Sequence, residues 1–171
     1  MSSDQRDTTS DRPLTNNLEA ERSVLGAILV DNNALPIAAE KLTAYDFFYT
    51  PHVRIFQSML ALRENSQPID LITLTEQLYK QGELEAAGGG AYLAQLLDGV
   101  PHCSNVGHYC FIVKEKSFRR ELIHNASEIQ TRAMDETEDF ASTYDHALTT
   151  IAKLTSSQNG AGHHPIKGRA L

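Results

Sequence analysis

Apolar residues recur at spacings of three, four and seven along most of the chain, and each such window is bounded by residues that start or stop a helix. From Asn17, a good N-cap, the run LEAERSVLGAIL places Leu18, Val24, Leu25, Ile28 and Leu29 largely on one face, which predicts an amphipathic helix laid on a core. Asp31-Asn32-Asn33 breaks it. ALPIAAEKL then begins a second helix, in which Pro36 is tolerable because it falls in the first turn. Tyr45, Phe47, Phe48 and Tyr49 form a turn-like aromatic segment ending at Pro51. HVRIFQSMLALRE follows, and its Val53, Phe56, Met59, Leu60 and Arg63 predict a third helix. After Pro68-Ile69, Asp70 reads as the cap of a fourth, with Leu71, Leu74 and Leu78 inward and Gly82 as its stop. Beyond GELEAAGGG a short helix turns Tyr92, Leu93, Leu96 and Leu97 inward, and Val100-Pro101 closes a small helical globule.

Past Pro101 the pattern lengthens. Residues 104 to about 136 contain no proline, and a glycine occurs only at Gly107, near the start. At roughly 1.5 Å per residue this predicts a helix on the order of 50 Å long. Phe111, Phe118, Leu122, Ala126, Ile129 and Ala133 make one stripe along it, and Val106, Tyr109 and Val113 make a second near its beginning. An acidic turn, DETED, leads to a last helix from about Phe140 to Leu154, with Phe140, Tyr144, Leu148, Ile151 and Leu154 at matching intervals. The expected fold class is all-α, a small helical globular head followed by a long antiparallel helical hairpin. Its expected limits are a disordered leader at 1–16, the head at 17–102, the hairpin at 103–155 and a flexible linker at 156–171.

Composition narrows the function classes. The longest unbroken apolar stretch, Val24 to Val30, is far too short to span a bilayer, so no membrane role is expected. MSSDQRDTTSDRP lacks the apolar centre of a secretory signal, which points to the cytoplasm. A net charge of -7 argues against tight gripping of duplex phosphates, so little direct nucleic-acid binding is expected. Cys103 and Cys110 are too few for a disulfide framework and read as free thiols.

Several clusters invite chemistry and are better explained without it. Gly88 to Gly90 could cradle phosphate, but a P-loop needs Gly-Lys followed by Ser or Thr, and the dipeptide Gly-Lys is absent from the sequence. The glycines read as a helix stop and a new start. His102, Cys103, His108 and Cys110 are all zinc-ligand types. On a helix starting near Ser104, however, His108 and Cys110 point roughly 200° apart, and Cys110 lies beside an apolar stripe where it acts as a small hydrophobe. No catalytic, metal or cofactor residue is assigned. Glu19, Glu21 and the acids at 135 to 139 read as solvated faces and a turn. Lys114, Lys116, Arg119 and Arg120 are offset by Glu115 and Glu121, so pairing within the helix is expected. The aromatic cluster at 45 to 49 reads as core.

The order of segments resembles a known family. NNLEAERSVLGAIL, DFFYTPHVRIFQSM, PIDLITLTEQL, LEAAGGGAYLAQL, Val100-Pro101 followed by Asn105 and Tyr109, and Arg120-Glu121-Leu122-Ile123 are similar to the N-terminal domain of DnaB-type replicative helicases, over about Asn17 to Leu154. The resemblance implies an assembly and docking domain: hairpins pair subunits into dimers, and three dimers form a collar above six ATPase domains. It also implies docking of the primase C-terminal domain and contact with the helicase loader. ATP and Mg2+ would belong to the RecA-like ATPase domain, whose Walker motifs this chain lacks. The tail HHPIKGRAL lies where a linker helix should follow, and reads as a cut within that linker rather than the end of a naturally short protein.

An apolar stripe longer than its partner helix can cover needs another surface, and self-association supplies one. The residues expected in hairpin packing and pairing are Tyr109, Phe111, Val113, Phe118, Leu122, Ile129, Phe140, Tyr144, Leu148 and Ile151. The alternatives are a stand-alone helical interaction protein of replication, a weak nucleic-acid binder using the basic group, and an enzyme built on His102, Cys103 and the glycine run.

Overall fold

The computed structural model describes residues 14–98 and 105–159, the side chains of 155–159 excepted. Every regular element in them is helical: α1 (Leu18–Val30), α2 (Ala34–Lys41), a 3-10 turn (Ala44–Asp46), α3 (Thr50–Glu64), α4 (Leu71–Lys80), α5 (Gly89–Gln95), α6 (Val106–Met134) and α7 (Phe140–Asn159). The fold class is all-α, as the periodicity requires. The leader at 1–13, the Val100-Pro101 closure, His102, Cys103 and the tail from residue 160 lie outside the described residues.

The chain divides into two compact units, Met1–Arg120 and Glu121–Leu171. The sequence places this division at 102/103, where the long helix starts. The difference arises because the first turns of α6 complete the core of the head: Val106, Cys110 and Val113 are buried with residues of the other five helices.

In the first unit α1 is enclosed on nearly all sides. The Asn17 carboxamide accepts the Ala20 N–H at 2.9 Å, and Val24, Leu25 and Ile28 have no exposed surface, whereas Leu18 is 41% exposed and leaves the expected stripe. Helix α3 packs on α1, α2, α4 and the 3-10 turn. It starts at Thr50, with Pro51 in its first turn where no N–H is needed. Its buried face carries Ile55, Phe56, Met59 and Leu62, rotated slightly from the expected set, while Arg63 is exposed. Asp70 caps α4 through the N–H groups of Ile72 (2.9 Å) and Thr73 (2.8 Å), which hold its carboxyl below the usual range. Gly82, at φ +70°, ends α4 in a left-handed stop, with the Glu83 N–H donating to Leu78 O at 2.8 Å.

Glu21, expected on a solvated face, is instead 1% exposed. Its Oε1 accepts the Phe48 N–H at 2.8 Å, and its Oε2 accepts the Tyr49 N–H at 3.3 Å and the His52 Nδ1–H at 2.7 Å. His52 is also wholly buried, and its Nε2 lies 2.6 Å from the Tyr92 hydroxyl. One carboxylate thus ties α1 to the start of α3, and through the imidazole to α5. Gly88 leaves room for the last link: at φ +98°, a Cβ there would stand 2.8–2.9 Å from Tyr92.

Two cations fasten α6 to the head. Lys114 Nζ donates to both oxygens of the buried Asp46 at 2.9 Å. Arg120 donates to the carbonyls of Asp46 (2.6 Å) and Thr15 (3.0 Å), and its guanidinium lies 5.5 Å from the Phe48 ring centroid. Of the basic group, Arg119 makes the expected pair within the helix, to Glu115 at 2.7 Å. Lys114 and Arg120 are spent on the head instead, and the contact to Thr15 holds the end of the expected leader.

In the second unit the end of α6 runs antiparallel to α7. Glu138 bridges the turn, accepting from Arg132 Nε at 2.9 Å and from the Thr143 hydroxyl at 3.2 Å. Further along, His146 Nε2 meets Glu128 at 3.1 Å. Helix α7 continues to Asn159, so the first residues of the expected linker are helical.

Glu21→Ala leaves the Phe48 and Tyr49 N–H groups and the buried His52 ring without their acceptor, and is expected to cost about 3–5 kcal/mol in urea unfolding. Glu19→Ala, on the exposed side of the same helix, is expected to cost about 0.5 kcal/mol or less. The Arg132 hydrogen bond holds the Glu138 carboxyl below its usual range. Its contribution is therefore present above the ordinary glutamate range and lost as pH falls through the depressed value. Nuclear magnetic resonance of Thr143 should show the turn loosening at acid pH in the native protein, and already loosened at neutral pH in Arg132→Ala.

Candidate interaction surfaces

The expected pairing residues separate into three groups. Val113 is 2% exposed inside the head core, and Tyr109 packs against that core half-buried, so these two are corrected from a pairing surface to head packing. They sit on the first two turns of α6, which the head needs to close. Phe118 and Ile129 are half-buried. Phe111 and Leu122 on α6 are exposed, as are Phe140 (80%), Tyr144 (54%), Leu148 (50%) and Ile151 (54%) on α7.

The α7 set is ordered at spacings of four, four and three, which keeps the four side chains on one side of the helix. Phe140 and Tyr144 stack with ring centroids 6.1 Å apart. The more buried side of α7 holds Thr143, His146, Ala147, Thr150 and Leu154. Helix α7 is therefore apolar on its wet side and largely small or polar on its dry side. This is the reverse of a surface helix in a finished monomer.

The head exposes a second aromatic group. Of the cluster expected as core, Phe47 alone is buried; Tyr45 is 81% exposed, and Phe48 and Tyr49 are exposed as well. The 3-10 turn and Pro51 direct the chain so that the Phe48 and Tyr49 N–H groups reach the Glu21 carboxylate, which sends their rings outward. Tyr49 lies edge-on to Tyr92 at 6.1 Å.

The clusters that invite chemistry resolve as follows. Cys110 is fully buried, and burial pushes its thiol up to about 11, which suits packing and not metal binding. His102 and Cys103 of the same cluster lie outside the described residues; among the described residues no group of three or more His, Cys, Asp or Glu is placed to hold a metal ion. Gly88 and Gly89 turn the chain with positive φ into α5. Among the described residues no helix is long and apolar enough to cross a membrane.

The sequence reading missed Glu21 and His52, and a signal for both was present. Glu21 precedes Val24, Leu25 and Ile28 by three, four and seven positions, and His52 precedes Ile55, Phe56 and Met59 by the same intervals. Each is the polar first member of an apolar face.

Residues 13–115 match the family described as DnaB-like helicase N terminal domain. The replicative DNA helicase DnaC of Bacillus subtilis is 38% identical over 165 residues, covering 94% of this chain and 36% of that protein. The replicative DNA helicase DnaB of Treponema pallidum is 39% identical over 151 residues, covering 88% and 34%. The chain spans about a third of the length of these relatives. Among solved structures, the N-terminal domain of DnaB helicase from Mycobacterium tuberculosis aligns with a TM-score of 0.77 at 30% identity, over 82% of this chain and 99% of that one. A DnaB-like replicative helicase described with its interactions with primase shares the fold, with a TM-score of 0.68 at 22% identity, over 90% of this chain and 33% of that one. With the family match, the relatives and the helical fold in agreement, this chain belongs to the DnaB-like helicase N-terminal domain family.

Proposed function

We propose that this domain assembles and docks proteins for a replicative DNA helicase: it pairs with a second copy through its hairpin and receives the primase C-terminal domain. The observation that carries the pairing is the exposed row Phe140, Tyr144, Leu148 and Ile151, backed by small and polar residues on the dry side of α7. Water wets that row in the lone chain, and a second copy of the same row removes it from water with two-fold symmetry. Family membership supports the reading, as does the likeness to the solved helicase described with primase. In this reading the pairs build the collar of a hexamer, a loader meets the same collar, and the protein works in the cytoplasm. The domain holds no nucleotide or metal itself. ATP and Mg2+ serve the ATPase domain of the longer helicase.

Tyr144→Asp with Leu148→Asp tests the pairing, because both side chains are at least half exposed and the monomer does not need them for its core. Analytical ultracentrifugation should show concentration-dependent association of the native chain. In the double variant the dissociation constant should rise about 100-fold, ~2.8 kcal/mol, with unchanged helical circular dichroism. A native chain that stays monomeric, or a variant that associates equally well, sinks the pairing role. Light scattering of the domain mixed with its cognate primase C-terminal domain tests docking: a complex mass is expected, and the sum of two unmixed species counts against it.

A further inference from the structure

Helix α4 carries more apolar surface than the head covers. Leu74 and Leu78 are fully buried, and α4 packs on α3 and α5. At about 100° per residue, Leu71, Thr75, Tyr79 and Ile72 follow them in turn around the helix, so the arc spans roughly 160°. Its far half is wet: Leu71 and Thr75 are half-buried, Tyr79 is 74% exposed and Ile72 is 79% exposed. Past Gly82 the chain sets Leu84, also half-buried, beside this outer half. Together these residues line an open groove of about 400 Å3 with mainly apolar walls, and among the described residues that line it only Glu76 is charged.

The charge around the groove selects its partner. Residues 70–86 carry four acids, Asp70, Glu76, Glu83 and Glu85, against one base, Lys80. Lys80 answers Glu76 at 2.7 Å, and Arg54 answers Glu83. Asp70 and Glu85 are exposed, the first at the cap that starts α4 and the second next to Leu84. Nucleic acid and anionic membranes meet like charge here. A protein segment bearing Lys or Arg meets its opposite. Ile72 and Tyr79 lie about 10 Å apart along the helix, and a groove of that length, open to solvent, suits a helix laid along it. A small molecule needs more enclosure.

We propose that the α4 groove docks a cationic amphipathic helix of another protein. Leu, Ile or Phe side chains of that helix enter beside Ile72, Tyr79 and Leu84, and its Lys or Arg residues lie toward Asp70, Glu76 and Glu85. Docking removes from water the outer half of the arc that Leu74 and Leu78 begin inside the head. The groove belongs to the first unit and the α7 row to the second. The inference draws neither on hairpin pairing nor on primase docking, and it stands if either fails.

Fluorescence anisotropy of the 171-residue protein with labelled synthetic peptides tests it. The probe is a Leu/Lys peptide of about 18 residues with Leu at helical spacings of three and four. One control replaces Lys by Glu, and another scrambles the Leu positions. The probe should bind with a micromolar dissociation constant, and both controls at least about tenfold more weakly. Ile72→Ser with Tyr79→Ser should weaken the probe about tenfold or more at unchanged helical circular dichroism, because both side chains are exposed. Glu76→Gln with Glu85→Gln should weaken the probe and strengthen the Leu/Glu peptide, and this pair decides the matter should the first variant misfold. The proposal is overturned by an absence of binding at about 100 μM protein, by a Leu/Glu peptide that binds as well as the probe, or by binding indifferent to Ile72 and Tyr79. Two further outcomes also overturn it. Loss of binding in Tyr144→Asp with Leu148→Asp assigns the probe to the α7 row, and loss of self-association in the Ile72 and Tyr79 variant assigns the groove to a second copy.

Discussion

A carboxylate withdrawn from water needs its lone pairs met by protons, and in this head the Glu21 carboxylate meets that need with groups from one other stretch of chain, Phe48 to His52. Much of the head follows from this constraint. The two N–H groups can reach Glu21 only if the chain turns sharply between Asp46 and Thr50, which places Pro51 in the first turn of α3 and faces that helix toward α1. His52 then stands one turn into α3 with its far nitrogen on Tyr92, which draws in α5 and makes a glycine necessary at Gly88. Apolar burial of Val24, Leu25, Ile28, Phe56 and Met59 supplies the driving force. That burial would tolerate several rotations of α1 against α3, whereas the buried carboxylate accepts one.

Asp46 does for α6 what Glu21 does for α3. It sits in the 3-10 turn, almost fully buried, and receives Lys114, while its carbonyl receives Arg120. The first turns of α6 are thereby part of the head, with Val106, Cys110 and Val113 in the core. The part of α6 from Glu121 onward belongs to the second unit with α7. Among the described residues, Arg132 pairs with Glu138 and Glu128 with His146, while Phe140, Tyr144, Leu148 and Ile151 of α7 are exposed. The head is closed by buried, directional bonds, and the hairpin carries exposed apolar side chains on α7.

Helix positions and their stops were legible in the sequence because the forces that set them act within a few residues: the 3.6-residue period, the Asn17 and Asp70 caps, the Gly82 stop and the first-turn prolines. The all-helical class and the existence of α6 and α7 followed from the same local rules, and the segment order carried the family resemblance. Where the reading failed, the deciding contacts lay far along the chain. Glu21 looks like any exposed glutamate until Phe48 and Tyr49 are brought to it. Tyr45 and Phe48 look like core until the turn aims them outward. Val113 looks like the seam of a hairpin until the head is found to lack a wall without it. A short-range pattern states which faces are apolar, but whether a face meets its own core, a neighbouring helix or water depends on distances across the fold, and for a buried charge on whether a distant backbone arrives to satisfy it. The sequence therefore determined the helices, and the tertiary structure decided which of their polar residues are held inside and which of their apolar ones are left exposed, because those outcomes depend on contacts far apart along the chain.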